Sequence, residues 1–326
     1  LIPISGDIAF RVNIFSPIIS ALTISLLFLI TNQFIDRVAP KDDNKFFKMW
    51  SSLTASLTFA FTHSHWFNAV ETEVYAFSGF MTALVIYLIM HWSKNIHNSN
   101  HVMYLICISY IIGLATGLHL LNLLTIPFIG LIIYFSIGKL GTKNLILTFT
   151  LSLISFFGIQ SFIIQGLPQV TASIGLVGLI FLIISLIALI VYSIKSNKAF
   201  LTIFLSSTLL IIIGYSTYFS IFIRSGQDPN IDENNPETIQ EAISYLNRDQ
   251  YGQMTILPRK FNNLPSKISI VGAPENENQE FSYDQEMAYK FYDIPSQSNF
   301  LWNYQIKKMY IRYFLWQFAG KGDSGD

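Results

Sequence analysis

The sequence predicts an all-α polytopic membrane protein: a bundle of about eight spans, then an extracytoplasmic region that is mainly helical or irregular. Three observations carry this prediction. Of 326 residues, 52% are hydrophobic and 15% aromatic, while only 12% are charged, about half the charged share usual in a soluble protein. The charge is also uneven: residues 1–223 hold ten Lys/Arg and six Asp/Glu, whereas residues 224–326 hold ten and fourteen. Finally, the first region resolves into long apolar runs joined by short polar loops. Two regions follow, a membrane domain over 1–223 and a water-facing region over 224–326. Net charge is zero, which argues against a nucleic-acid partner, since that needs a basic face.

A membrane-crossing helix needs about 20 largely apolar residues. Runs that qualify cover 14–35, 48–63, 74–92, 102–117, 119–136, 144–165, 172–194 and 199–223. The second is short and reads as tilted, broken or partly re-entrant. Only the corner "TGLH" separates the fourth from the fifth, which makes these two a tight helical hairpin. The single cysteine, Cys107, sits within an apolar run and reads as a small apolar filler. The opening run lacks the cleavage pattern of a signal peptide. A start without Met and a close on "GKGDSGD" point to a piece of a longer protein.

Orientation comes from the loops. "DRVAPKDDNKFFK", "SKNIHNSNH", "GKLGTKN" and "KSNK" hold Arg37, Lys41, Lys45, Lys48, Lys94, Lys139, Lys143, Lys195 and Lys198, while "HSHWFNAVETE", "TGLH" and "QGLPQVT" hold no Lys or Arg. Basic loops stay in the cytoplasm, so the chain start and residues 224–326 are expected outside. On that outer face lie Asp7, Glu71 and Glu73, with Arg11, His63, His65 and His119. His91, His97 and His101 fall on the other side.

Carboxylates at a membrane boundary mark function or simply meet water. Glu71 and Glu73 read either as first-turn residues complementing a helix dipole or as walls of a site. Trp66, Phe67 and Tyr75 fit an interfacial aromatic belt. His63 and His65 diverge on a helix and make a poor metal pair, because helical ligand pairs prefer i, i+4. His119 and Asn122 share a helix face, either as an interhelical hydrogen-bonded pair or as the polar lining of a headgroup cavity. Gly113 and Gly117 permit close helix packing. Asp7 and Arg11, four apart, form a helical salt bridge, or else Arg11 holds a phosphate at the headgroup level.

"LIPISGDIAFRVNIFSPIISAL", "HSHWFNAVETEVYAFSGF" and "GLATGLHLLNLLTIP" resemble successive segments of the protein O-mannosyltransferase-like membrane family, once catalogued as a domain of unknown function and grouped with the GT-C glycosyltransferases. "IDENNPETIQEAISYLNRDQYG" and "NYQIKKMYIRYFLWQFAGK" resemble the segments that follow the membrane domain in bacterial members. The most specific pieces are "AVETEVYAF", "ENNPET" and "YLNRDQYG". The resemblance implies a GT-C-like bundle in a bacterial cytoplasmic membrane. It also implies transfer of a sugar, mannose by analogy, from a polyprenyl-phosphate donor to a protein or glycan hydroxyl outside. Such chemistry needs a carboxylate to take the acceptor proton and donors to steady the departing lipid phosphate. Glu73 and Glu71 are the candidate catalytic carboxylates; Arg11, His65, His119, Asn122 and Asp7 are the candidate phosphate and substrate residues. The family's principal acid lies in a loop before the "GD.AFR.N" segment and is therefore expected upstream of Leu1. No metal and no cofactor beyond the lipid-linked donor is implied.

In the outer region, "NNPETIQEAISYLNRDQYG" reads as a helix with Asn235 as N-cap and Pro236 at the first position, an apolar stripe of Ile239, Ala242, Ile243 and Leu246, and Gly252 after its end. "DPNIDENN" lacks the spacing of a calcium loop. "SNFLWNYQIKKMYIRYFLWQF" places Lys307, Lys308 and Arg312 at helical spacing among aromatics; it lies on the membrane surface or packs against the rest of the tail. The competing classes are a transporter or flippase of a lipid-linked substrate and a non-catalytic scaffold. A transporter calls for charge near mid-span and broken, repeated helices, and the apolar runs are nearly free of such charge.

Overall fold

A computed structural model describes residues 6–39, 44–137, 140–232, 234–247, 249 and 297–319. Two compact units emerge, Leu1–Gln250 and Tyr251–Asp326. Among the described residues every regular element is helical.

The first unit begins with α1 (Ile8–Asn13), which runs almost directly into α2 (Phe15–Val38). α3 (Lys45–Ala60) starts where the Asn44 side chain accepts the Phe47 N–H at 3.0 Å. The short α4 (His63–Val70) and α5 (Val74–Lys94) follow. α6 (His101–Leu118) stops at His119, whose extended backbone (φ −155°, ψ 124°) opens a 3-10 turn, Leu120–Leu124, leading into α7 (Thr125–Ile137). The expected "TGLH" corner is therefore present. Tyr134 Oη pins the next turn, accepting from Gly141 N at 2.7 Å and donating to its carbonyl at 3.1 Å.

Next come α8 (Thr142–Gly158), a π-helical stretch (Ile159–Gln165) and α9 (Gly166–Lys195), 54 residues in which two helices meet at a kink at Gly175. A straight helix of that length would reach about 81 Å, well over twice the roughly 30 Å hydrocarbon core. Gly175 breaks the line with φ 69° and ψ 176°, a conformation that glycine adopts without a Cβ penalty. α10 (Ala199–Ser216) turns back from α9, where Ser193 and Thr202 hydroxyls bond at 2.8 Å. A 3-10 turn (Thr217–Phe219) and α11 (Ser220–Ser225) continue from it.

Among the described residues, six helical segments are long and apolar enough to cross a membrane, which marks a multi-pass membrane protein. The expected eight runs are all helical, but two of them do not count separately. The second is a 16-residue helix, about 24 Å long, and the sixth and seventh share the bent 142–195 segment.

The core gathers Val85, Ile89 and Trp92 of α5, Ile108 and Ile112 of α6, Leu123, Ile126, Ile163, Ile164, Ile211 and Tyr215. α6 and α10 cross closely because the crossing is glycine on both sides. A Cβ on Gly113 would lie 2.3 Å from the Ile211 carbonyl oxygen, and one on Gly214 2.5 Å from that of Tyr110. Gly117, the second glycine of the sequence pattern, faces the Tyr218 side chain.

α12 (Ile239–Asn247) packs on α9 and the π-helical stretch through buried Ala242, so residues 224–247 lie with the first unit. The expected N-cap at Asn235 is corrected. Asn234 and Asn235 take left-handed φ values of 67° and 37°, Pro236 is buried before the helix, and the cap is Thr238. Its N–H and hydroxyl donate to Glu241 Oε2 at 2.8 and 2.9 Å, and Glu241 N–H donates back to Thr238 Oγ1 at 3.3 Å. This is a reciprocal capping box. Gly252 lies outside the described residues.

The second unit is described over α13 (Gln297–Asn299), a π-helical stretch (Phe300–Ile311) and α14 (Arg312–Ala319).

Candidate functional site

The described charged residues of the bundle sort to the ends of its helices. Glu73 caps the start of α5 and Lys94 closes it 21 residues later, roughly 30 Å away. At the Lys94 end, Asp36 of α2 pairs with Lys48 of α3 and with Lys94, the latter at 2.9 Å. Arg37 Nη2 donates to the Met90 carbonyl at 3.0 Å. The first two of the loops that the sequence marks as basic thus meet at one end, held by a carboxylate that charge counting alone did not single out.

At the opposite end lie α1, α4, the start of α5 and the α6 corner. Asp7 caps α1, its Oδ1 accepting from Ala9 N–H at 2.8 Å and Phe10 N–H at 3.3 Å. Between the described residues Asp7 and Arg11 no ion pair forms, so of the two readings for this pair the salt bridge is not the one adopted. Arg11 is half-buried, and its Nε is buried without a hydrogen-bond partner. Two residues on, Asn13 Oδ1 accepts from the Thr72 hydroxyl. Thr72 stands between the two glutamates, so this contact ties α1 to the α4–α5 turn that carries them.

Glu71 ends α4 in extended backbone and is half-buried; Glu73 is exposed at the N-cap of α5 without a side-chain capping bond. Neither carboxylate is matched by a described cation within ion-pair distance. Each keeps its acceptor capacity for something brought to it.

His65 projects from α4 toward α2, its ring 4.9 Å from that of Phe59. Burial pushes its imidazole below the ordinary value, with a hydrogen bond to the Ser20 carbonyl working the other way. The neutral ring is favoured there. His63 stacks on Phe67 at 6.2 Å and does not join His65; among the described residues no cluster of His, Cys, Asp and Glu could hold a metal ion.

His119 is half-buried at the α6 corner, 5.5 Å from the Tyr75 ring. Its Nδ1 accepts from Leu121 N–H at 3.3 Å, which assigns the proton of the neutral ring to Nε2. Tyr75, placed by sequence in an aromatic belt, therefore joins α5 to this corner. Asn122 lies beneath, only 3% exposed. Its Oδ1 accepts from Thr82 at 2.7 Å; its Nδ2 donates to Ser78 Oγ at 3.0 Å, to the Ala115 carbonyl at 3.0 Å and to that of His119 at 2.9 Å. The residue is engaged on every side and holds α5 to the corner, as the interhelical reading expected.

The fold thus brings Arg11, Glu71, Glu73, His65 and His119 to one end, with Asp7 and Asn122 supporting the backbone around them. Asn13, Thr72 and Tyr75 were not singled out as site residues. A contact between positions 59 residues apart leaves no periodic signal in one sequence.

Searches of curated proteins and of solved structures return no match. Residues 1–142 match the family model described as Protein O-mannosyl-transferase TMEM260 N-terminal domain. That stretch runs from α1 to the start of α8 and contains each candidate site residue. Over these residues, which carry the candidate site, the chain is similar to a protein O-mannosyltransferase-like family.

Proposed function

We propose that the chain is a GT-C-type glycosyltransferase that moves mannose from a polyprenyl-phosphate to an acceptor hydroxyl on the extracytoplasmic side. The family name supports hexosyl transfer. The observation that supports the reading is that the contacts Asn13–Thr72 and Tyr75–His119 tie together α1, the α4–α5 turn and the α6 corner, the elements that carry Arg11, Glu71, Glu73 and His119. The loops without Lys or Arg support placing that end outside.

The donor's polyprenyl tail stays among lipids and its phosphosugar meets the headgroup layer. The acceptor oxygen bonds to the anomeric carbon as the bond from that carbon to the phosphate oxygen breaks. The proton leaves the acceptor for a carboxylate, and the electron pair leaves with the lipid phosphate. In this reading Glu73 and Glu71 align the acceptor or its proton acceptor, while Arg11 and His119 steady the phosphate charge.

The test is transfer from radiolabelled polyprenyl-phosphate mannose by the full-length natural protein in proteoliposomes. Glu73→Gln and His119→Ala should each lower turnover, by about 100-fold where alignment is lost, and Arg11→Ala should raise the KM for donor. Wild-type rates in both Glu73→Gln and His119→Ala would remove those residues from the site. Failure of every polyprenyl-phosphate sugar with wild type would overturn the assignment in favour of a transporter.

A further inference from the structure

A helix that meets water turns its polar side outward and its apolar side to the core. α4 does the opposite. His65, whose imidazole reaches the Ser20 carbonyl of α2, shares a side with Asn68 and Ala69, and all three are half-buried. The open side carries Trp66, Phe67 and Val70, which are 58%, 51% and 59% exposed. With 3.6 residues per turn, these three and His63 fall within about 100° of the helix circumference. His63 lays its ring on Phe67. From Thr62 to Val70 there is no Lys, Arg, Asp or Glu.

Apolar groups gathered on one side of an exposed helix mark a contact with something less polar than water. Three features identify it as lipid. The apolar surface continues that of α3, where Leu57, Phe59 and Phe61 are exposed and Phe61 stacks on Trp66 at 5.8 Å. α4 also leads within a few residues into α5, a segment long and apolar enough to cross a membrane, so it sits at the level where that segment leaves the bilayer. Trp and His, with an apolar body and a polar tip, suit that level. Finally, eight residues span only about 12 Å, which fits the surface of a bilayer and not its depth.

We propose that α4 is an interfacial helix, seated in the membrane surface with Trp66, Phe67 and Val70 against the acyl chains and its polar side on α2. The inference does not rest on the transferase reading, because its ligand is the bilayer itself. Since the helix carries no charged side chain, apolar contact alone seats it, and zwitterionic lipid suffices. It bears on the candidate site through Glu71, which ends α4. A helix held at the acyl boundary holds that carboxylate at the level of the headgroups.

Cys107 is the single cysteine, so Cys107→Ser with Phe67→Cys, Val70→Cys or Asn68→Cys gives one attachment site for a nitroxide. Asn230→Cys in the same background, on an exposed loop, supplies the value for open water. The full chain is reconstituted in phosphatidylcholine, and collisions with oxygen and with a water-soluble nickel chelate report the depth of each label. Labels at positions 67 and 70 should favour oxygen and read about 5–10 Å into the headgroup and acyl boundary, while the label at 68 should be shielded from both reagents. Nickel access at 67 and 70 equal to that at 230 would overturn the proposal. So would shielding of both from both reagents, the sign that protein and not lipid covers this face. The two positions on the open side guard against one substitution disturbing α4.

Discussion

One methyl group at Gly113 will loosen the bundle and, through it, the candidate site. In Gly113→Ala the new Cβ would stand 2.3 Å from the Ile211 carbonyl oxygen and 2.9 Å from its Cα. Ordinary contact begins at 3.4 Å, so α10 must retreat by about 1.1 Å. The obstacle is helix backbone, which cannot swing aside as a side-chain end can, and Gly214 on the facing helix has no slack either, its own Cβ position lying 3.0 Å from the Gly113 carbonyl carbon. A gap of 0.5 to 1 Å already forfeits a quarter to a half of the dispersion between facing atoms. Overpacking of this kind typically costs about 1–3 kcal/mol, and the two-sided block points to the upper half of that range. Equilibrium unfolding in mixed detergent, followed by circular dichroism, measures the loss. Gly79→Ala is the matched control: a Cβ there meets nothing within 4 Å, and replacing a mid-helix glycine should leave stability unchanged or raise it by up to about 1 kcal/mol. Because His119 ends α6 six residues beyond Gly113, Gly113→Ala should also lower transferase turnover. Equal stability of the two variants would refute the close crossing of α6 and α10.

Asn122→Ala should cost about 2 kcal/mol, since interhelical bonds to Ser78 and Thr82 are worth roughly 0.6 kcal/mol each in a membrane and the two carbonyl partners lose a donor; a double-mutant cycle with Thr82→Val should show coupling. For His65, whose imidazole is pushed down by burial, the seat of α4 is at full strength above the ordinary value near 6.5 and weakens as pH falls below it, because the unfolded chain binds the proton first. Hydrogen exchange over α4 should accelerate on acidification, and His65→Phe should flatten that dependence. Thr238→Ala should destabilise α12 by about 1 kcal/mol, seen as faster exchange of the amides at 239–243. Glu241, held below its ordinary 4.5 chiefly by the Thr238 backbone N–H, supports that cap above 4.5 and releases it as pH drops through the lowered value, so acid should mimic Thr238→Ala.

Much of this protein is readable from the sequence, for a local reason. Apolar runs, basic loops and the Gly113/Gly117 pattern each act through residues near one another in the chain, so hydropathy and charge mark the helices and the polar stretch from Phe61 to Phe80. Where the sequence erred, neighbours also decided: Thr238 rather than Asn235 caps α12 because Glu241 can reciprocate. What required tertiary structure was which polar groups meet. Nothing near Asp36 announces Lys94; nothing near Thr72 announces Asn13, nor Tyr75 the ring of His119. A helix's rotation about its axis is set by packing summed over its whole face, as at the glycine crossing of α6 and α10. That sum, absent from any short stretch, determines that Arg11, two glutamates and two histidines share one end of the bundle.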